Sequence, residues 1–162
     1  MRLYFLRHAT AVEVAQSDAE RELTKKGRKE AGIAGAALVK LSVEPSLVLF
    51  SPLVRARQTA QIACEAMKFS GEMRVCEKLQ NGTTTATLLK ALASFGDADP
   101  IILVGHCPSM PRHIAALIVG QTSEGIELAK GGIACVELKE LRPGEGRLRW
   151  LLRQKQLRSI AR

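Results

Sequence analysis

Aromatic residues make up only 4% of the 162 residues, which argues against the stacking platforms that single-stranded nucleic acid requires. Cysteine is also sparse: Cys64, Cys76, Cys107 and Cys135 lie far apart and form no C-x-x-C pair. That spacing suits neither a zinc site nor a dense disulfide framework, and it implies reduced, mostly buried thiols. No apolar run reaches the ~18–20 residues that cross a bilayer. The longest, around Ile101–Val104 and Ile114–Val119, are of core size. Met1 to Leu6 run into Arg7-His8 too soon for the apolar stretch and cleavage site of a secretory leader. A cytoplasmic protein without membrane contact is the expectation. What is present, 46% hydrophobic and 25% charged residues, is the composition of a globular domain. A chain of about 150 residues buries roughly 68–70% of its unfolded surface unaided by metal or disulfides.

Charge is unevenly placed. Residues 142–162 hold seven basic side chains against one acid, Glu145, and so carry most of the net charge of +8. The body is close to neutral. This divides the chain into one domain over residues 1–153 and a basic C-terminal tail over residues 154–162. A basic end of this kind docks an acidic partner, nucleic acid or anionic lipid, or is simply a solvated edge strand with a frayed tail. No groove-reading motif accompanies it, which disfavours nucleic acid as the main partner.

Short apolar runs alternate with helical patterns. Leu3–Leu6, Ser46–Phe50 and Ile101–Val104 read as buried strands, and Met73–Cys76 as a further one. Thr24 caps a helix running to about Leu41. Ser51-Pro52 reads as an N-cap followed by proline at the first helical position. Asn81-Gly82 marks a turn before a helix through Leu88, Leu89 and Leu92, and another helix spans about Ser109 to Val119. Ile133–Leu138 and Leu148–Leu152 alternate in polarity and read as half-exposed strands at the sheet margin. The pattern predicts an α/β three-layer sandwich, with a mostly parallel central sheet and helices on both faces.

In such sheets ligands bind beyond the carboxyl ends of the strands. The first run is followed by Arg7-His8, the second by Ser51-Pro52 and then Arg55, and the run at Ile101–Val104 by Gly105-His106. Two arginines and two of the three histidines therefore reach one edge. Guanidinium groups match phosphate oxygens in bidentate fashion and stay charged. Histidine, with a free pKa of about 6.5, supplies a nucleophilic nitrogen at neutral pH. Gly105 permits close backbone approach, and the helix after Ser51 adds a favourable dipole. No carboxylate or cysteine stands at ligand spacing beside the histidines, so a metal site is a poor fit. His113, on the margin of the stripe of Met110, Ile114 and Leu117, reads as packing, and Cys107 as inert.

The motif Leu6-Arg7-His8-Ala9 resembles the R-H-G/A signature of the histidine phosphatase (phosphoglycerate mutase-like) superfamily. The stretch Ser51-Pro52-Leu53-Val54-Arg55-Ala56-Arg57-Gln58-Thr59-Ala60 resembles its second motif, and Val104-Gly105-His106 its third. Order and spacing match across about residues 1–120. More narrowly, Asp18 to Gly27 resembles the D-x-x-R-P-L-T-x-x-G stretch of SixA-type phosphohistidine phosphatases, with Glu22 in place of the proline, a change expected to loosen the loop. The resemblance implies a phosphoglycerate mutase-like fold, no metal or organic cofactor, and a covalent phosphohistidine intermediate on His8. It implies that Arg7, Arg55 and His106 bind the phosphoryl group and that Arg21 reaches the substrate.

A general acid is the gap. Glu77 is roughly placed to serve, one position out of register, and a solvated surface glutamate is the competing reading. An alkoxide needs an acid to leave, whereas imidazole is readily protonated near neutral pH, so a missing acid favours a P–N bond over an ester. The stretch from Gln61 to Pro100 has room for a strand and a helix but no lid. These features point to phosphohistidine on a protein, a phosphotransfer domain or phosphocarrier, and to a role in signal transduction. The alternatives are a phosphatase of small esters or anhydrides on the same fold, or a non-enzymatic phospho-group binder with a basic docking tail.

Overall fold

The computed structural model describes residues 1–162. Six strands form one sheet: β1 (Arg2–Arg7), β2 (Leu47–Phe50), β3 (Glu72–Val75), β4 (Ile101–Gly105), β5 (Ile133–Leu138) and β6 (Gly146–Leu152). Their order is β3-β2-β4-β1-β5-β6. The first four are parallel, and β5 and β6 run antiparallel at one side. Five helices cover the sheet: α1 (Lys25–Lys40), α2 (Val54–Met67), α3 (Thr85–Ala93), α4 (Ser109–Val119) and α5 (Gln154–Ile160). This is the mostly parallel three-layer sandwich that the alternating pattern predicts. No helix is long and apolar enough to cross a membrane.

Alternating residues of each strand feed opposite layers, as the two-residue strand period requires. Leu3 and Phe5 of β1, with Leu47 and Leu49 of β2, pack under Leu88 and Leu92 of α3 and Met110, Ile114 and Leu117 of α4. Tyr4, Leu6, Val48 and Phe50 face the other layer, where α1 contributes Ala34 and Leu38, α2 Ala56, Ala60 and Ala63, and α5 Leu157. The alanine stripe lets α1 and α2 lie close to the sheet and to each other. Gly35 completes this contact, since a Cβ there would stand 2.3 Å from the carbonyl oxygen of Ala63.

Three expectations change. Strand β5 is interior and almost wholly buried, because it pairs with both β1 and β6; of these two late strands β6 alone lies at an edge. Helix α2 begins at Val54 with Leu53 at the N-cap, so Ser51-Pro52 stands outside it. The basic end is an integral helix and not a frayed tail. Leu157 is fully buried, and Gln154 Nε2 donates to the carbonyls of Glu30 and Gly131 at 3.0 and 2.7 Å. Charges that precede the helix are matched locally: Arg142 pairs with Glu140 and Glu145, Arg149 with Glu137, and Arg153 with Glu127.

Candidate active site

The parallel ladder sets the site. Arg7 pairs with Gly105 in register, and Phe50 with Val104. Beyond the strand ends His8 N donates to Gly105 O and Ser51 N to Val104 O, both at 3.0 Å. His8, Ser51 and His106 are thereby delivered side by side, and the rings of His8 and His106 stand 5.0 Å apart between centroids. Arg55 comes from the first turn of α2. Thr59, one turn on, joins the two segments: its hydroxyl donates to Arg55 O at 2.7 Å and accepts from Ala9 N at 3.1 Å. One pocket is lined by Arg7, His8, Arg55, His106, Asp18, Arg21, Asn81, Cys107 and Lys130.

His8 is buried, and its Nδ1 lies 2.8 Å from the carbonyl oxygen of Ala9. A carbonyl only accepts, so Nδ1 carries the proton and Nε2 keeps its lone pair. Burial lowers the pKa of His8 to about 3, with His106, Arg55 and Arg7 opposing a further positive charge. His106 is lowered to about 4, chiefly by burial and then by Arg55. Both rings are therefore neutral at pH 7. Nε2 of His106 lies 2.7 Å from Ser51 Oγ, while its Nδ1 is buried without a partner. Arg7 Nη1 donates to Leu128 O at 3.0 Å. Its Nε, like that of Arg55, is buried and unpartnered. Three of the five buried side-chain atoms without a partner thus belong to residues lining this pocket.

A pocket with three guanidinium groups, a lysine and neutral imidazoles is built for an anion. Its one carboxylate is Asp18, in a short 3₁₀ turn over Asp18–Glu20. Hydrogen bonds from Arg55 and then Arg21 hold the Asp18 carboxyl below its ordinary range. Arg21 lines the pocket but is engaged, with Nε on Val12 O at 2.7 Å and Nη1 on Asp18 Oδ1 at 3.1 Å. The loop is well held despite Glu22. Gln58 of α2 donates to Glu22 Oε1 at 2.9 Å and accepts from Leu23 N at 2.8 Å.

Glu77 does not join the site. It is exposed in a second 3₁₀ turn, Glu77–Leu79, and its carboxylate accepts from Gln80. Burial pushes the Cys107 thiol up, away from thiolate chemistry. His113 is buried outside the pocket, with Nδ1 2.9 Å from Thr85 Oγ1. Gly105 does permit close approach, but of protein: a Cβ there would meet Leu79 O at 3.0 Å and Met110 Sδ at 3.1 Å. Sequence reasoning missed Asp18, Asn81 and Lys130 as lining residues and assigned Ser51 to a helix cap. Asn81 Nδ2 donates to Cys107 O at 2.9 Å and its Oδ1 accepts from Ser109 N at 3.3 Å, fixing the wall beside His106. The Asn-Gly turn is the signal that marked it.

The model of the histidine phosphatase superfamily, branch 1, matches residues 3–86. The chain belongs to that superfamily. Membership together with its SixA relatives identifies it as a phosphatase. An uncharacterized protein of Picosynechococcus is 34% identical over 137 residues, 82% of each chain. Phosphohistidine phosphatase SixA of Escherichia coli K12 is 29% identical over 153 residues, 93% of this histidine phosphatase and 92% of SixA. A solved structure of the protein histidine phosphatase SixA complexed with tungstate superposes with a TM-score of 0.87 at 26% identity, covering 97% of this chain and 99% of that one.

Proposed function

We propose that this histidine phosphatase removes the phosphoryl group from phosphohistidine carried on a protein, a phosphotransfer domain or phosphocarrier, through a covalent intermediate on His8. The observation that carries the reading is the state of the only pocket carboxylate. Asp18 is tied to two arginines and held below the carboxylate range, so it is a poor proton donor. With Glu77 outside the pocket, nothing there protonates an alkoxide. An imidazole leaving group has no such need, being readily protonated near neutral pH.

Nε2 of His8 attacks phosphorus, and the P–N bond to the substrate imidazole breaks. The substrate imidazole, already protonated by solvent on its other ring nitrogen, departs as neutral imidazole with the electron pair of the broken bond on the leaving nitrogen. Water then attacks the phosphorus of phospho-His8, releasing orthophosphate and regenerating neutral His8. Two easier transfers replace one difficult one. Arg7, Arg55 and the N–H of His106 bind the phosphoryl oxygens and stabilise charge in both transition states. No step calls on a metal. Access agrees with a protein substrate: between β3 and β4 the chain adds only a 3₁₀ turn and the nine-residue α3, with no insertion over the site. The SixA relative, by its name a phosphohistidine phosphatase, supports the same substrate class.

The test compares phosphate release from a phosphohistidine protein and from p-nitrophenyl phosphate, with chelator present, for wild type and His8→Ala. Fast, His8-dependent release from the P–N bond is expected. Preference for the ester would overturn the substrate class while retaining the nucleophile.

A further inference from the structure

Arg55 is almost wholly buried, and both its terminal nitrogens are engaged by one residue. Nη1 donates to the backbone oxygen of Asp18 at 2.6 Å, and Nη2 to Asp18 Oδ2 at 3.0 Å. The other carboxylate oxygen, Oδ1, accepts from Arg21 Nη1 at 3.1 Å. Asp18 itself is open to water, its side chain 66% exposed. The donors of a guanidinium fork suit a carboxylate and a phosphoryl group equally. The internal carboxylate and the incoming phosphoryl group therefore need the same donors of the same residue.

We propose that Asp18 is an internal competitor that occupies the phosphoryl donors of Arg55 in the free enzyme and must be displaced by substrate. The inference rests on the reading of Arg55 as a phosphoryl ligand. Displacement is feasible because the two partners are asymmetric. A buried guanidinium left alone is costly, and Asp18 supplies its counter-charge in the free enzyme. The Asp18 carboxylate, by contrast, returns to water with Arg21 still bound to it. A phosphoryl dianion brings twice the charge and also engages Arg7 and His106, so it wins the contest when it is well placed. Orthophosphate lacks every contact outside the pocket, whereas a phosphoprotein makes many. Asp18 thus weakens every phosphoryl ligand alike, so that a free anion with no other contacts leaves the pocket unoccupied while a phosphoprotein held by further contacts still enters, and it drives product off by returning to Arg55. Its carboxyl stays ionised across the working range because Arg55 and Arg21 both favour the anion.

The experiment is orthophosphate binding to the full chain, by calorimetry and as inhibition of turnover, for wild type, Asp18→Asn and Asp18→Ala. Thermal unfolding is recorded for each, and Asp18→Asn keeps the shape of the side chain should the alanine variant fold poorly. Affinity for orthophosphate is expected to rise about fivefold or more in both variants, the scale of a partly exposed ion pair. KM for p-nitrophenyl phosphate and for the phosphohistidine protein should both fall in step. Unchanged or weaker orthophosphate binding in the folded Asp18→Asn protein overturns the proposal and leaves the function standing. Wild-type affinity retained in Arg55→Ala shows instead that Arg55 is no phosphoryl ligand, which removes the underlying reading of the site and this inference with it.

Discussion

Ser51 Oγ and His106 Nε2 lie 2.7 Å apart, both fully buried. The hydroxyl also accepts from Leu53 N, at 3.4 Å, and its own proton is free to point at the ring. With Nε2 accepting, the ring proton sits on Nδ1, the nitrogen without a protein partner. A Ser51 that donates to Nε2 is a positioning residue, holding His106 in the tautomer that its proposed role as a donor to the phosphoryl group requires. Ser51→Ala should lower kcat about tenfold or more, the scale of one lost transition-state donor, with the unfolding midpoint little changed. Full kcat in the folded variant would contradict this role.

His8→Ala should abolish turnover of the phosphohistidine protein. The ring makes one hydrogen bond, to the adjacent carbonyl, so circular dichroism and chromatographic behaviour should match wild type. Brief exposure of wild type to substrate, followed by peptide mapping, should locate an acid-labile phosphoryl group on His8. A label on any other residue would remove the nucleophile assignment.

Glu77→Gln should leave kcat/KM for the same substrate within about twofold. Its carboxylate is exposed and bonded to Gln80, outside the pocket. A loss of ~100-fold, the range of general acid catalysis, would restore it as proton donor and revive the ester reading.

Stability should decline on the acid side. Burial lowers His8 to about 3, and His106 and His113 to about 4, while unfolded histidine titrates near ~6.5. Between these values the unfolded chain binds more protons than the native one, so unfolding free energy rises with pH in that window. It is lost progressively as pH falls below about 6.5 and levels off near the native pKa values. Urea midpoints at pH 7, 6 and 5 check this, and a flat profile would refute it. His113→Gln, at a position outside the lining of the pocket, should flatten part of the slope.

Leu157→Ala should cost about 2–5 kcal/mol of unfolding free energy, the usual range for a fully buried leucine. A change below about 0.5 kcal/mol, typical of surface positions, would mean that α5 is peripheral after all. Urea denaturation separates the two.

Much of this site was legible because its residues directly follow apolar runs. Arg7, His8 and His106 terminate strands whose burial leaves continuous hydrophobic signals, and the parallel order then fixes where those ends meet. Arg55 followed from its place in a helix starting beside the second strand end. Asp18 was hidden for a physical reason: it meets Arg55 across 37 residues, from a loop whose conformation depends on Arg21 and Gln58. Ser51 carries a good capping pattern, yet its hydroxyl is taken by His106, and a tertiary hydrogen bond overrides the local preference. Helix α5 escaped notice because its one fully buried residue, Leu157, gives a seven-residue segment no periodicity. Strand β5 resembled a margin because alternation cannot reveal that an antiparallel neighbour will cover it.

The place of β1 between β4 and β5 bears on how the protein comes into being. The strand made first finds its partners about one hundred and then about one hundred and thirty residues later. A nascent chain that has emerged as far as Gly105 already contains Arg7, His8 and Arg55, yet one edge of the strand that aims the first two is bare. Beyond it Arg7 N must still find Gly132 O, and Gly131 N the carbonyls of Arg7 and His8. Gly131 is in turn braced by Gln154. Pairings so distant in sequence are slow to form, and Arg7 and His8 are set in place only when the last third of the polypeptide closes over the first strand.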